Sequence, residues 1–110
     1  MIRIEEGNIS IVQHDNGILN FKLDNRPLMD GDKVYFLVKQ NYEQEYYDIE
    51  IIVDTFEDGE AKIFISEQNT SIESGSYKYA ICVHTIEGLI STVVSGKLKI
   101  IEGVHHESEW

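Results

Sequence analysis

The chain has few of the residues that staple or stiffen a fold. Cys82 is its only cysteine, so neither an internal disulfide nor a multi-thiolate metal site can form. The core must therefore hold the fold unaided, which suits synthesis in a reducing cytoplasm. Proline occurs once, at Pro27. Basic side chains are scarce: nine against twenty acidic ones give a formal charge of −11. Proteins grip phosphate backbones and anionic bilayers with Lys and Arg, so the expected partners include no nucleic acid and no membrane. No run approaches the roughly 18 apolar residues of a membrane span. The start, Met1–Ser10, lacks the apolar stretch of a secretory signal, so no signal peptide is expected.

What the chain does have is alternation. Its 110 residues make one domain, and a domain of that size buries about 60–70% of its unfolded surface. Leu19, Phe21 and Leu23 share one face of a run. Val34, Phe36 and Val38 share another, as do Tyr47, Ile49, Ile51 and Val53, then Ala61, Ile63 and Ile65, then Tyr77, Tyr79, Ile81 and Val83. Period two with β-branched and aromatic residues predicts half-buried strands. A shorter strand lies near Ile9–Val12, and the last runs from about Leu89 to Ile101, with a bulge or bend expected at Ser95-Gly96. Asp15-Asn16-Gly17, Asp30-Gly31-Asp32, Asp58-Gly59 and Glu87-Gly88 supply the turns between strands. The one helical candidate is a single turn over Ser66–Ile72, capped by Ser66.

About seven short strands with regular turns and no long helix predict a sandwich or barrel. The run Glu73-Ser-Gly75-Ser-Tyr77-Lys-Tyr79 tips the choice. Immunoglobulin-like folds often enter their penultimate strand at such a corner, with a packed tyrosine whose hydroxyl is tied to nearby backbone. The expected fold is thus an immunoglobulin-like β-sandwich of about seven antiparallel strands. It spans residues 1–104, with 105–110 as a flexible tail. Its structural corner is Gly75, Tyr77 and Tyr79. The expected core is Leu19, Phe21, Leu23, Val34, Phe36, Val38, Ile49, Ile51, Ile63, Ile65, Tyr77, Tyr79, Ile81, Val83, Leu98 and Ile100.

Catalytic chemistry finds little support. Adjacent His105 and His106 point to opposite sides of an extended chain, so with Glu107 they make a poor metal site. The acid clusters Glu43, Glu45, Asp48, Glu50 and Glu57, Asp58, Glu60 flank turns, where water keeps carboxylates ionised. A glycosidase pair needs one acid in an apolar pocket instead. Oxygen ligands at Asp30-Gly31-Asp32 or at the Asp58 turn suit calcium by type, but the EF-hand spacing is absent. Cys82 and His84 share a strand face, yet no oxyanion-donating turn or orienting Asn or Asp accompanies them. No catalytic residue, metal ligand or cofactor is expected.

Apolar residues out of phase with the core are more suggestive. Tyr35, Leu37, Ile52, Phe64 and Ile101 fall on the faces turned away from it. Gathered together they would form an association surface.

Several marks occur in a fixed order: Gly31-Asp32-Lys-Val-Tyr-Phe-Leu-Val38-Lys39, then Asp58-Gly59-Glu-Ala61-Lys-Ile63, then Asn69-Thr70 and Gly75-Ser-Tyr77-Lys-Tyr79-Ala-Ile81. Glu87-Gly88 with Thr92 and the closing Gly96-Lys-Leu98-Lys-Ile100 follow. Over about residues 15 to 104 the chain resembles small structural domains from prophages and tailed phages of Gram-positive bacteria. It is similar to the immunoglobulin-like N-terminal domain of phage baseplate upper proteins. Asn69, Ala80 and Leu98 depart from that pattern, where the family has Asp, Asp and an aromatic. The resemblance implies a structural virion component of the tail or baseplate, made in the bacterial cytoplasm. Its partners would be other phage structural proteins or further copies of itself. The alternative expectation is a binding module for a glycan or a host surface protein, with Tyr42, Tyr46 and Tyr47 beside Glu43 and Glu45 at a loop.

Overall fold

The computed structural model describes residues 2–5 and 7–103. Eight strands follow in order: β1 (Ile2–Glu5), β2 (Asn8–Val12), β3 (Gly17–Lys22), β4 (Lys33–Lys39), β5 (Ile49–Val53), β6 (Glu60–Ile65), β7 (Gly75–His84) and β8 (Ile90–Ile101). They form a six-stranded sheet in the order β1-β2-β8-β7-β4-β5 and a two-stranded sheet of β3 and β6. The fold is all-β and sandwich-like, with no helix among the described residues.

Two features differ from the sequence-based expectation. The described residues form eight strands, because a short β1 pairs with β2 ahead of the first anticipated run. They are also not all antiparallel: β2 runs parallel to β8, from Ile9 opposite Leu98 to Val12 opposite Ile101. Periodicity reveals which face a strand buries, but not which neighbour it chooses or in which direction.

Alternation places the core between the sheets. Leu19 and Phe21 on β3, with Ala61, Ile63 and Ile65 on β6, meet Val34, Phe36, Val38, Ile49, Tyr77, Tyr79, Ile81, Val83, Leu98 and Ile100 from the larger sheet. Of the expected core, Leu23 and Ile51 are only partly buried. Ile9 and Ile11 on β2, Ala61, and Leu28 from the β3–β4 loop join it unanticipated. Each fully buried Ile, Leu or Phe contributes about 1.5–3 kcal/mol relative to an exposed one.

Turn chemistry follows the sequence closely at one hairpin. Between β5 and β6, Glu57 and Glu60 exchange both backbone hydrogen bonds, at 3.1 and 2.9 Å. Asp58 (φ 53°) and Gly59 (φ 76°) lie between them. Positive φ at both central residues matches the right-handed strand twist and is the conformation an Asp-Gly pair favours. Residues 66–72 form hydrogen-bonded turns and not a helix, although the cap itself exists. The Ser66 hydroxyl accepts the Asn69 N–H (3.1 Å), and Asn69 Oδ1 accepts the Ser66 N–H (2.8 Å). A segment this short has too few hydrogen bonds to repay helix nucleation.

The irregularity in β8 also lies elsewhere than expected. Ile81 pairs with Val94 but Cys82 pairs with Thr92, so Val93 is the bulged residue and Ser95-Gly96 stays in register. Gly96 has a different task. A Cβ there would lie 2.6 Å from the Gly7 carbonyl oxygen and 3.0 Å from the Tyr79 ring. Its missing side chain admits the Tyr79 phenol, whose hydroxyl donates to the Gly7 carbonyl. The segment 105–110 lies outside the described residues.

Candidate functional site

The corner residues come together at the start of β7. Gly75 has φ 145°. The buried Tyr77 hydroxyl donates to the Glu73 carbonyl at 2.6 Å. Burial raises the phenol pKa above its usual value, with the charges of Asp48 and Glu73 adding to it. Tyr79 is raised by burial alone. Both phenols therefore remain donors and hold backbone carbonyls in place, which is architectural work.

The five out-of-phase residues do not form one surface. Tyr35 sits opposite Ile52 across β4–β5 and opposite Cys82 across β4–β7, while Leu37 sits opposite Ala80. Those three belong to one patch on the outer face of the larger sheet. Ile52 is 53% exposed, whereas Tyr35 and Leu37 are half-buried. Phe64 lies on the outer face of the small sheet, opposite Ile18, and both are about half exposed. Ile101 lies at the far side of the larger sheet, opposite Val12. Even alternation cannot tell which sheet an outward residue belongs to.

Around Tyr35, Leu37 and Ile52 the face carries one acid, Glu50, directly opposite Leu37. Cys82 Sγ is 3.5 Å from the Thr92 hydroxyl, and the His84 ring lies 4.4 Å from that of Tyr35. Cys82 thus meets Thr92 and His84 meets Tyr35. Towards the other end of the same face the surface turns basic. Lys39 on β4 is directly opposite Lys78 on β7, which is directly opposite Lys97 on β8. Two rings lie over this row: Lys39 Nζ is 4.9 Å from the Tyr47 ring centre and Lys78 Nζ is 5.1 Å from that of Tyr42. Two shallow grooves flank Tyr42. One, of about 330 Å³, is lined in part by Leu37, Lys39, Tyr47, Lys78 and Ala80. The other, of about 340 Å³, is lined in part by Ser76, Lys78, Ser95 and Lys97.

Sequence reading missed the lysine row because alternation assigns a face but not a register. The acidic turns resolve differently from a ligand site. Asp32 is fully buried and accepts from Arg26 (2.9 and 3.0 Å), Met29 N–H (3.0 Å) and Ile86 N–H (2.9 Å). Its oxygens are committed to protein donors, which leaves them poorly placed for calcium. The Arg26 hydrogen bond is the main reason its pKa falls to about 2, with both backbone donors assisting against burial. Asp48 accepts the Gln40 N–H and the Gln44 amide, both at 2.9 Å, and so shapes the β4–β5 loop. Glu57 pairs with Lys62 at 3.2 Å. Among the described residues no group of three or more His, Cys, Asp or Glu could hold a metal ion, and His105, His106 and Glu107 lie outside them. No helix among the described residues is long and apolar enough to cross a membrane. No protein-family model matches the chain, and no curated protein matches it significantly.

Proposed function

We propose that the chain is a non-enzymatic structural component of a phage or prophage particle, in the tail or baseplate, acting through protein–protein assembly. The observation that carries this reading is the outer face of the larger sheet, where Tyr35, Leu37 and Ile52 leave apolar surface at the edge strand β5. Apolar residues gathered on one face favour burial against a neighbour. The resemblance in ordered marks from Gly31 to Ile100 gives the assembly its class. An immunoglobulin-like reading of the fold fits β8-β7-β4-β5 as neighbours facing a β3–β6 pair, since variable-type domains add a strand beside the same three. Partners on this reading are other phage structural proteins, with further copies of the chain included.

Mass spectrometry of particles purified after prophage induction tests it. Peptides of this chain at near-stoichiometric yield are expected; particles without them overturn the reading.

A second reading, a binding module for a glycan or a host surface protein, is favoured by the exposed Tyr42 ring, 79% accessible between two grooves. Flat aromatic faces suit sugar rings. A glycan array without hits at millimolar sugar would remove the glycan form of it.

A further inference from the structure

We infer that the outer face of the larger sheet receives an acidic, amphipathic protein segment, with carboxylates over the Lys39–Lys78–Lys97 row and apolar side chains on Leu37, Ala80 and Ile52. This rests on the assembly reading and names the chemistry of its partner.

The charge distribution carries the inference. The whole chain is −11, yet five of its nine basic residues, Lys33, Lys39, Lys78, Lys97 and Lys99, lie on this one face. Among the described outward side chains of β2, β4, β5, β7 and β8, the only acid is Glu50. Arg26 and Lys62 elsewhere are paired with carboxylates, whereas none of the five face lysines makes an ion pair with a described residue. Neighbouring strands are about 4.8 Å apart, so the backbones of Lys39, Lys78 and Lys97 lie in a row across roughly 10 Å. Like charges directly opposite each other destabilise a sheet. Acids from a partner would relieve that repulsion.

The rest of the face selects the occupant. Leu37 and Ala80 line the same groove as Lys39 and Lys78, so a ligand there meets cationic and apolar surface together. An extended polypeptide with acidic and apolar side chains at every second position, and so on one face, offers both, whereas an acidic sugar polymer offers carboxylates without aliphatic side chains. A second copy of this face is a poor match. Related by a two-fold along the strands, it would set lysine row against lysine row; related by one across them, it would set that row against Lys33 and His84.

The test is titration of the isotope-labelled chain with the acetylated, amidated heptapeptide Glu-Ser-Glu-Ser-Val-Ser-Val, whose acids and valines share one face when extended, followed by amide chemical shifts. Expected are shifts confined to 37–39, 50–52, 78–80 and 95–99, with affinity falling at least tenfold between 50 and about 500 mM salt, as exposed charge contacts are screened. The double variant Lys78→Glu, Lys97→Glu should lose the shifts while its spectrum stays dispersed. Lys22→Glu, on the other sheet, should keep them. No shifts, or shifts unchanged in the double variant, would overturn the inference. So would an oligogalacturonate binding the same amides more tightly than the peptide. A peptide that fails while the chain is still found in particles removes only this occupant. Absence from particles removes the assembly reading itself.

Discussion

The Asp32 carboxylate accepts the backbone N–H of Ile86, 54 residues later in the chain, at 2.9 Å. With Arg26 and the Met29 N–H on its other lone pairs, this one acid ties the β3–β4 loop to the β7–β8 hairpin. Its folded-state pKa, about 2, lies below the ordinary value of 3.8. A depressed acid contributes stability that is fully present above the unfolded pKa and is lost as pH falls through the folded one. Unfolding midpoints measured from pH 5 to pH 2 should therefore drop in the parent, with Asp32 contributing most of its share between about pH 4 and 2. In Asp32→Asn the same profile should be flatter. Asp32→Ala should cost about 1–3 kcal/mol at pH 7, because two buried N–H groups lose their acceptor. An unchanged profile in Asp32→Asn would show that the carboxylate does not carry this linkage.

Tyr77 separates packing from hydrogen bonding. Truncation to Ala should cost about 3–5 kcal/mol, as for buried aromatics generally. Tyr77→Phe keeps the ring and removes only the bond to the Glu73 carbonyl, for about 1 kcal/mol. Chemical denaturation of both variants gives the comparison. If Tyr77→Ala melts within a degree of the parent, the corner is not structural.

Gly96 is required for a close approach. A methyl group 2.6 Å from the Gly7 carbonyl oxygen meets backbone, which cannot swing aside like a side-chain tip. Gly96→Ala should cost about 1–3 kcal/mol, as overpacking does. It should also speed amide exchange in β1 and β2, since the Tyr79–Gly7 link holds the turn between them. Slow exchange in the variant, with parent-like stability, would mean the turn relaxes freely.

These residues mark how far the sequence could be read. Period two located the strands from Gly17 to Ile101 and most of the core, because side-chain alternation is local geometry. The tyrosine at position 77 was legible for the same reason: its bond to Glu73 spans only four residues. Asp32 read as a turn residue with an oxygen ligand of calcium type, because nothing local announces that Arg26 and Ile86 will close over it. The parallel β2–β8 pairing and the Lys39–Lys78–Lys97 row depend on register between distant strands, which no local pattern encodes. Val93 became the bulge, and not Ser95-Gly96, through that same long-range pairing.

Ile52 allows the contact face to be tested apart from the fold. It lies on the edge strand β5, is 53% exposed, and contributes nothing to the buried cluster. Ile52→Asp should therefore change stability by under about 1 kcal/mol, the span of strand propensity at such a site. A carboxylate placed beside Tyr35 in a dry interface would be costly, because a buried charge without a partner is strongly disfavoured. Incorporation into particles should fall at least tenfold in quantitative mass spectrometry, while the soluble chain stays folded. Phe64→Asp, on the opposite sheet, serves as the control, because Phe64 is equally exposed but belongs to a separate surface. Normal incorporation of Ile52→Asp, or equal loss in both variants, would move the contact away from the Tyr35–Leu37–Ile52 face.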